Sequence, residues 1–141
     1  MADFHQNGNI ATLHNLRTRS SAELADELAS FALTRKTSLI LPCLYSELEG
    51  DAMPHILSEL SKVKYLHRII IGLDRADEAQ FRHAKTFFQG LNQNHIVIWN
   101  DSPRMLELGQ RLVKMGLYPA EQGKGKNVWS ALGYLIACAD S

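Results

Sequence analysis

Cysteine is scarce in this 141-residue chain: Cys43 and Cys138 are the only two, far apart and in no CxxC pair. That count excludes a disulfide framework and a cysteine-rich zinc site, and two thiols in apolar stretches read as small buried side chains of a reducing, cytoplasmic protein. A surplus of charge is also missing, since Lys plus Arg and Asp plus Glu each number 15. Nonspecific polyanion binding normally shows as a basic excess, so no nucleic-acid partner is expected. No apolar run approaches the roughly 18–20 residues that cross a bilayer. Met1 to Ile10 is polar, without the basic and apolar regions of a secretion signal.

Familiar catalytic motifs are absent as well. EQGKGKNVWS contains no GxxxxGK[ST], and no GxGxxG follows the first strand candidate, so the P-loop and the dinucleotide fingerprint are both missing. The histidines (His5, His14, His55, His67, His83 and His95) form no HExxH, and Ser46 lies in no GxSxG elbow. There is no internal repeat, low-complexity tract or linker.

What is present is an ordinary globular composition, 45% apolar and 21% charged, at a length that suits one domain. Residues 1–20 read as a polar N-terminal arm and 21–141 as one α/β domain. Ser20 or Ser21 with Glu23 opens a helix over residues 21–34. SLILPCL (Ser38 to Leu44), HRIIIGL (His67 to Leu73) and HIVIW (His95 to Trp99) are short apolar runs that suit buried parallel strands, the first expected to finish near Pro42. Between and after them Asp51, Asp77 and Ser102-Pro103 are helix-start signals, and a last helix is expected from about Lys126. Strands alternating with helices predict a Rossmann-like three-layer α/β/α domain with a mostly parallel sheet.

In such sheets ligands bind beyond the carboxyl ends of the strands, at a switch in strand order. The segments to examine are therefore Pro42 to Glu49, Asp74 to Asp77, Asn100 to Arg104 and the glycine loop before the last helix. Read as residues alone, Glu47 and Glu49 suit a solvated acidic turn as well as a ligand contact, and Asp77 suits a helix cap. The lysines of GKGK suit either a solubilising loop or an anion site. Trp129 and Tyr134 read as core or interface aromatics, and Arg104 as a solvated helix residue.

Three segments in order, LILPCLYSELEG (39–50), IIIGLDRAD (69–77) and GKGKNVWSALGYLIA (123–137), resemble the N-terminal half of a GT-A-type glycosyltransferase of the family 2 kind. The group they resemble most is that of the glucosyl-3-phosphoglycerate and mannosylglycerate synthases. The resemblance implies nucleotide contacts from Pro42, Leu44, Tyr45 and Glu47, with Tyr45 stacking where the family has Asn, and base reading by Asp74. It also implies a diphosphate site at Gly123, Lys124, Gly125 and Lys126, with the glycines at positive φ. The implied partners are a UDP- or GDP-sugar and a small acceptor, glycerate or phosphoglycerate. The family's next strand carries an Asp-x-Asp that holds Mg²⁺ or Mn²⁺ against the diphosphate. Here the sequence reaches Ala139-Asp140-Ser141 without it, so no metal ligand is assigned in this chain. A fragment with the nucleotide side but little of the catalytic side is expected, inactive alone. Parts of Trp129, Leu132 and Ile136 would then stay uncovered and favour self-association into a homo-oligomer. The alternatives are a noncatalytic α/β module that binds a nucleotide or a protein and, more weakly, a flavodoxin-like regulatory domain.

Overall fold

A computed structural model describes residues 19–118, 121 and 123–138. Of the expected N-terminal arm only Arg19 and Ser20 fall within them; Pro119 and Asp140 lie outside. The elements follow the order α1 (Ser21–Ala32), β1 (Thr37–Leu44), a 3-10 turn (Tyr45–Glu49), α2 (Ala52–Lys62), β2 (Leu66–Asp74), α3 (Glu78–Phe88), β3 (His95–Trp99), α4 (Pro103–Lys114) and α5 (Lys124–Ala137).

Local chemistry accounts for most helix ends. Ser20 accepts from the Glu23 N–H at 3.2 Å while Glu23 accepts from the Ser20 N–H at 2.7 Å, a reciprocal cap. Asp77 and Gln80 repeat the device at α3, with bonds of 2.8 and 2.9 Å. Ser102 caps α4, and Pro103 takes the first helical position, where no N–H is needed. At the other end of α4 the Gly116 N–H donates to the Val113 carbonyl and the Leu117 N–H to that of Leu112. That paired closure needs a left-handed residue, which Gly116 supplies at φ 70°. Asp51 departs from expectation. It stands at the N-cap of α2, but with φ −71° and ψ −19° it is already helical, so its carboxylate does not turn back over the free N–H groups and makes no capping bond.

The three strands are parallel and lie in the order β1-β2-β3. The sheet therefore contains no reversal of strand order among the described residues; what changes along the chain is the face that its helices cover. Leu39, Leu41, Cys43, Ile69, Ile71, Leu73, Val97 and Trp99 share one face, and with Leu48, Met53, Ala84, Phe88 and Leu91 they build the main core under α2 and α3. The alternate residues, among them Ile70, Gly72 and Ile98, face α4 and α5, so helices lie on both sides of the sheet. α1 buries none of its residues. β1 does not stop at Pro42 but continues to Leu44, with Pro42 paired in register with Gly72. Among the described strands β1 has a neighbour on one side only, and an edge position tolerates a residue without an N–H.

Candidate functional site

The carboxyl ends of β1, β2 and β3 meet the N-terminus of α5, and two clefts open there. The smaller, about 150 Å³, is lined by Pro42, Cys43, Leu44, Glu47, Asp74, Arg75, Gly123, Lys124 and Asn127. The larger, about 410 Å³, lies between the ends of β2 and β3, helix α4 and the start of α5. Asp74, Gly123 and Asn127 border both. Ligand pockets commonly span ~300–1,000 Å³, so the smaller cleft is an annex of the larger and not a site by itself.

The strand ends are held by hydrogen bonds that cross between loops. Asp74 accepts from the Asn100 amide at 2.7 Å, and the Asp101 carboxylate accepts from the Ala76 N–H at 3.1 Å. Trp99 donates its indole N–H to the Ala76 carbonyl at 2.7 Å. Between them Arg75 adopts the left-handed conformation at φ 56°, uncommon for a side chain of its size, and so turns the chain sharply out of β2. Glu47 folds back to accept from the Leu44 N–H at 2.8 Å, closing the 3-10 turn after β1. Burial, with the Glu47 and Asp74 carboxylates adding to it, pushes the Cys43 thiol up to about 12. Cys43 is therefore a neutral packing group at the edge of the cleft, far from the thiolate a nucleophile requires.

Helix α5 begins two residues before its expected start, so Lys124, Gly125 and Lys126 form its first turn instead of a loop ahead of it. The expectation of positive φ at its glycines is corrected accordingly. Gly125 is helical, and Gly123, at φ 163°, is extended backbone that any residue adopts. Beyond their own chain neighbours and the helix backbone, no atom of the described residues lies within 4 Å of where a Cβ would stand on either glycine, so both leave open space at the helix start. The first N–H groups of a helix have no intrahelical acceptor and carry the positive end of its dipole. Lys124 is exposed on the smaller cleft; Lys126 is half-buried on the larger.

Pro42, Leu44, Glu47, Asp74, Gly123 and Lys124 come together on the smaller cleft, and Lys126 joins from the larger. Gly125 and Tyr45 line neither. Tyr45 lies beyond the end of β1, as the first residue of the 3-10 turn. There it packs against the α2–α3 core with its hydroxyl 3.1 Å from Nδ1 of His83. Asp77 is a helix cap and Arg104 is exposed on α4.

Sequence reading singled out neither Asn127 nor Gly72. Asn127 is 3% exposed, and its amide donates to the Gly72 carbonyl at 2.8 Å, tying α5 to the centre of β2. A Cβ on Gly72 would stand 1.8 Å from the Asn127 amide oxygen, so glycine is what allows the two to approach. That oxygen and the amide oxygen of Asn100 are buried with no hydrogen-bond partner among the described residues. Both belong to residues lining the larger cleft. The only sequence signal for the pair was a glycine inside a strand, a sign of close backbone approach.

A parallel sheet with helices on both faces and a polar, cation-flanked cleft at its carboxyl ends is the architecture expected of the N-terminal half of a GT-A glycosyltransferase. Comparison with known proteins gives the particular group. The chain is 47% identical over 141 residues to a glucosyl-3-phosphoglycerate synthase of Persephonella marina, matching 100% of this chain and 35% of the relative. It is 33% identical over 146 residues to a glucosyl-3-phosphoglycerate synthase of Methanococcoides burtonii, matching 99% of this chain and 36% of the relative. The chain thus spans about a third of the length of the curated relatives it matches, and along its whole length it is homologous to glycosyltransferases of the glucosyl-3-phosphoglycerate synthase group. No protein-family model matches the chain, and no solved structure matches it.

Proposed function

We propose that this chain binds the nucleotide-sugar donor of a glycosyltransferase that transfers a hexose to glycerate or phosphoglycerate. The observation that carries the reading is the convergence of Asp74 and Glu47 with the first turn of α5 on adjoining clefts. The Asp74 and Asp101 carboxylates supply the larger cleft with acceptors. Acceptors of that kind match the imide N–H of uracil or guanine and the hydroxyls of a ribose. The donors lie at the helix start, where Lys124, Lys126 and the free N–H groups suit a diphosphate. A UDP- or GDP-sugar carries both halves of this pattern. The relatives' name supplies the acceptor class.

The divalent cation implied by the resemblance, Mg²⁺ or Mn²⁺, does not fit the described residues. They contain no group of three or more His, Cys, Asp or Glu able to hold it. Asp74 is engaged by Asn100 and Asp101 by a backbone N–H. The role proposed for the described residues is binding: Asp74 orients the base and ribose, and the α5 turn holds the diphosphate. None of the helices formed by the described residues is long and apolar enough to cross a membrane.

Calorimetric titration with UDP, GDP and ADP tests the reading. One base should be preferred, and Asp74→Ala should weaken that nucleotide by about 1.5–3 kcal/mol, the usual worth of a hydrogen bond to a charged group. Lys124→Ala and Lys126→Ala should weaken the nucleoside diphosphate but not the nucleoside, with a smaller loss at high salt. Equal affinity for all three nucleotides, indifferent to Asp74→Ala, would overturn it.

A further inference from the structure

The wall of the larger cleft contains an aromatic residue, Tyr118, that is linked twice to one lysine. Lys126 Nζ sits 4.8 Å from the centroid of the Tyr118 ring, over its face. The hydroxyl of the same tyrosine lies 2.5 Å from Oγ of Ser130, which itself donates to the Lys126 carbonyl at 3.0 Å. Because the Ser130 hydrogen is committed to that carbonyl, the Tyr118 hydroxyl is the donor to Ser130. Tyr118 thus reaches Lys126 twice, at its ammonium through the ring and at its backbone through Ser130. The ring is itself tightly seated. Gly109 of α4 is buried beneath it, and a Cβ there would come within 3.3 Å of a ring carbon, while Trp129 packs against it at a centroid distance of 4.8 Å.

We propose that Tyr118 is a positioning residue that holds the Lys126 ammonium ready for the diphosphate of the donor. The inference rests on the reading of Lys126 as a phosphate contact. A free lysine side chain loses rotamer entropy on binding, and restraining it beforehand lowers the cost of association. An ammonium on an aromatic face keeps the rest of its donor sphere open, so an anion can approach from the cleft while the ring holds the opposite side. Lys124, exposed on the smaller cleft, has no such seat and should contribute less.

The test is titration of the full chain with UDP and GDP, each beside its nucleoside, for four variants: Lys126→Ala, Tyr118→Phe, Tyr118→Leu, and the protein with pentafluorophenylalanine at position 118. Pentafluorination reverses the ring's attraction for a cation while nearly preserving its shape, so it keeps the test open if Tyr118→Leu does not fold. Tyr118→Phe should keep diphosphate affinity within about twofold. Pentafluorophenylalanine and Tyr118→Leu should each lose about three- to tenfold, the range of a partly desolvated cation–π contact. Nucleoside affinity should not change, and in the Lys126→Ala background the substitutions at 118 should have no further effect. If Lys126→Ala weakens the diphosphate but the fluorinated ring leaves it unchanged or tighter, the positioning role is overturned while the binding site stands. If Lys126→Ala itself has no effect, the phosphate reading and the inference built on it both fall.

Discussion

The two faces of the same three-stranded sheet are built to different rules. Under α2 and α3 the side chains are almost wholly apolar: Ile69, Ile71, Leu73, Ala84 and Phe88 are all 0% exposed. Under α4 and α5 the central strand presents a glycine, the opposing helix buries an asparagine against it, and clefts and a 350 Å³ apolar cavity remain. Close packing yields stability but leaves no room for a ligand. Space and unsatisfied polar groups do the reverse, since each buried orphan is held at a cost. One face thus anchors the sheet, and the other spends part of that stability on a site.

The largest expected effect tests the anchoring face. Phe88→Ala should destabilise the fold by about 3–5 kcal/mol in urea unfolding, because a fully buried ring leaves a cavity that its neighbours fill only partly. A loss below about 1 kcal/mol would mean that this face is not the main support of the sheet.

Gly72→Ala sharpens the contrast on the opposite face. The added methyl overlaps the Asn127 amide, and overpacking of that kind costs about 1–3 kcal/mol. It should also weaken nucleotide binding, since Asn127 borders both clefts. Asn127→Ala removes the overlap, so thermal melts of the double variant should show less loss than the sum of the singles. Strict additivity would mean that the two residues are not a unit.

Asp77 and Asp74 stand three residues apart at the same strand end and should separate by readout. Asp77→Ala should lower stability by about 0.5–2 kcal/mol through its lost cap and leave nucleotide affinity alone. Asp74→Ala should lose nucleotide affinity in addition to the stability that its bond with Asn100 supplies. Equal responses in both assays would erase the distinction between cap and site.

The smallest effect is silent at neutral pH. The folded Cys43 thiol ionises near 12, above the value of about 9 for an unfolded thiol. The unfolded chain therefore loses this proton first, and stability falls as pH rises from about 9 toward 12. Stability curves for Cys43→Ala should be flatter than those of the parent across that interval. Identical slopes would mean that the thiol is not held neutral by burial and the nearby carboxylates.

Among the described residues the three strands and the helix starts were legible in the sequence to within about two residues, because each rests on local signals: a short apolar run, or a serine or aspartate before a helix. Ser20, Asp77 and Ser102 act within three or four residues of themselves, and such contacts need no knowledge of the rest of the chain. Asp51 failed by the same logic, since a cap depends on its own backbone angles as well as on its side chain. The strand ends could be named as the place for a ligand because parallel sheets leave that edge open wherever they occur.

Tertiary structure alone decided which residues meet there. Asn127 and Gly72 are 55 positions apart and their contact exists only once α5 lies across β2. Tyr118 and Lys126 form a pair because the chain after α4 seats the ring on Gly109 of α4 and against Trp129 of α5, under the lysine. Tyr45, one residue from Leu44, opens the 3-10 turn and packs against the α2–α3 core, where its hydroxyl meets His83, whatever its chemistry suits it for. Periodicity is a property of neighbours along the chain and survives in the bare sequence. The pairing of a buried amide with a glycine, or of a lysine with a ring, is a property of packed surfaces, and it arises only when the sheet has chosen which face each residue serves.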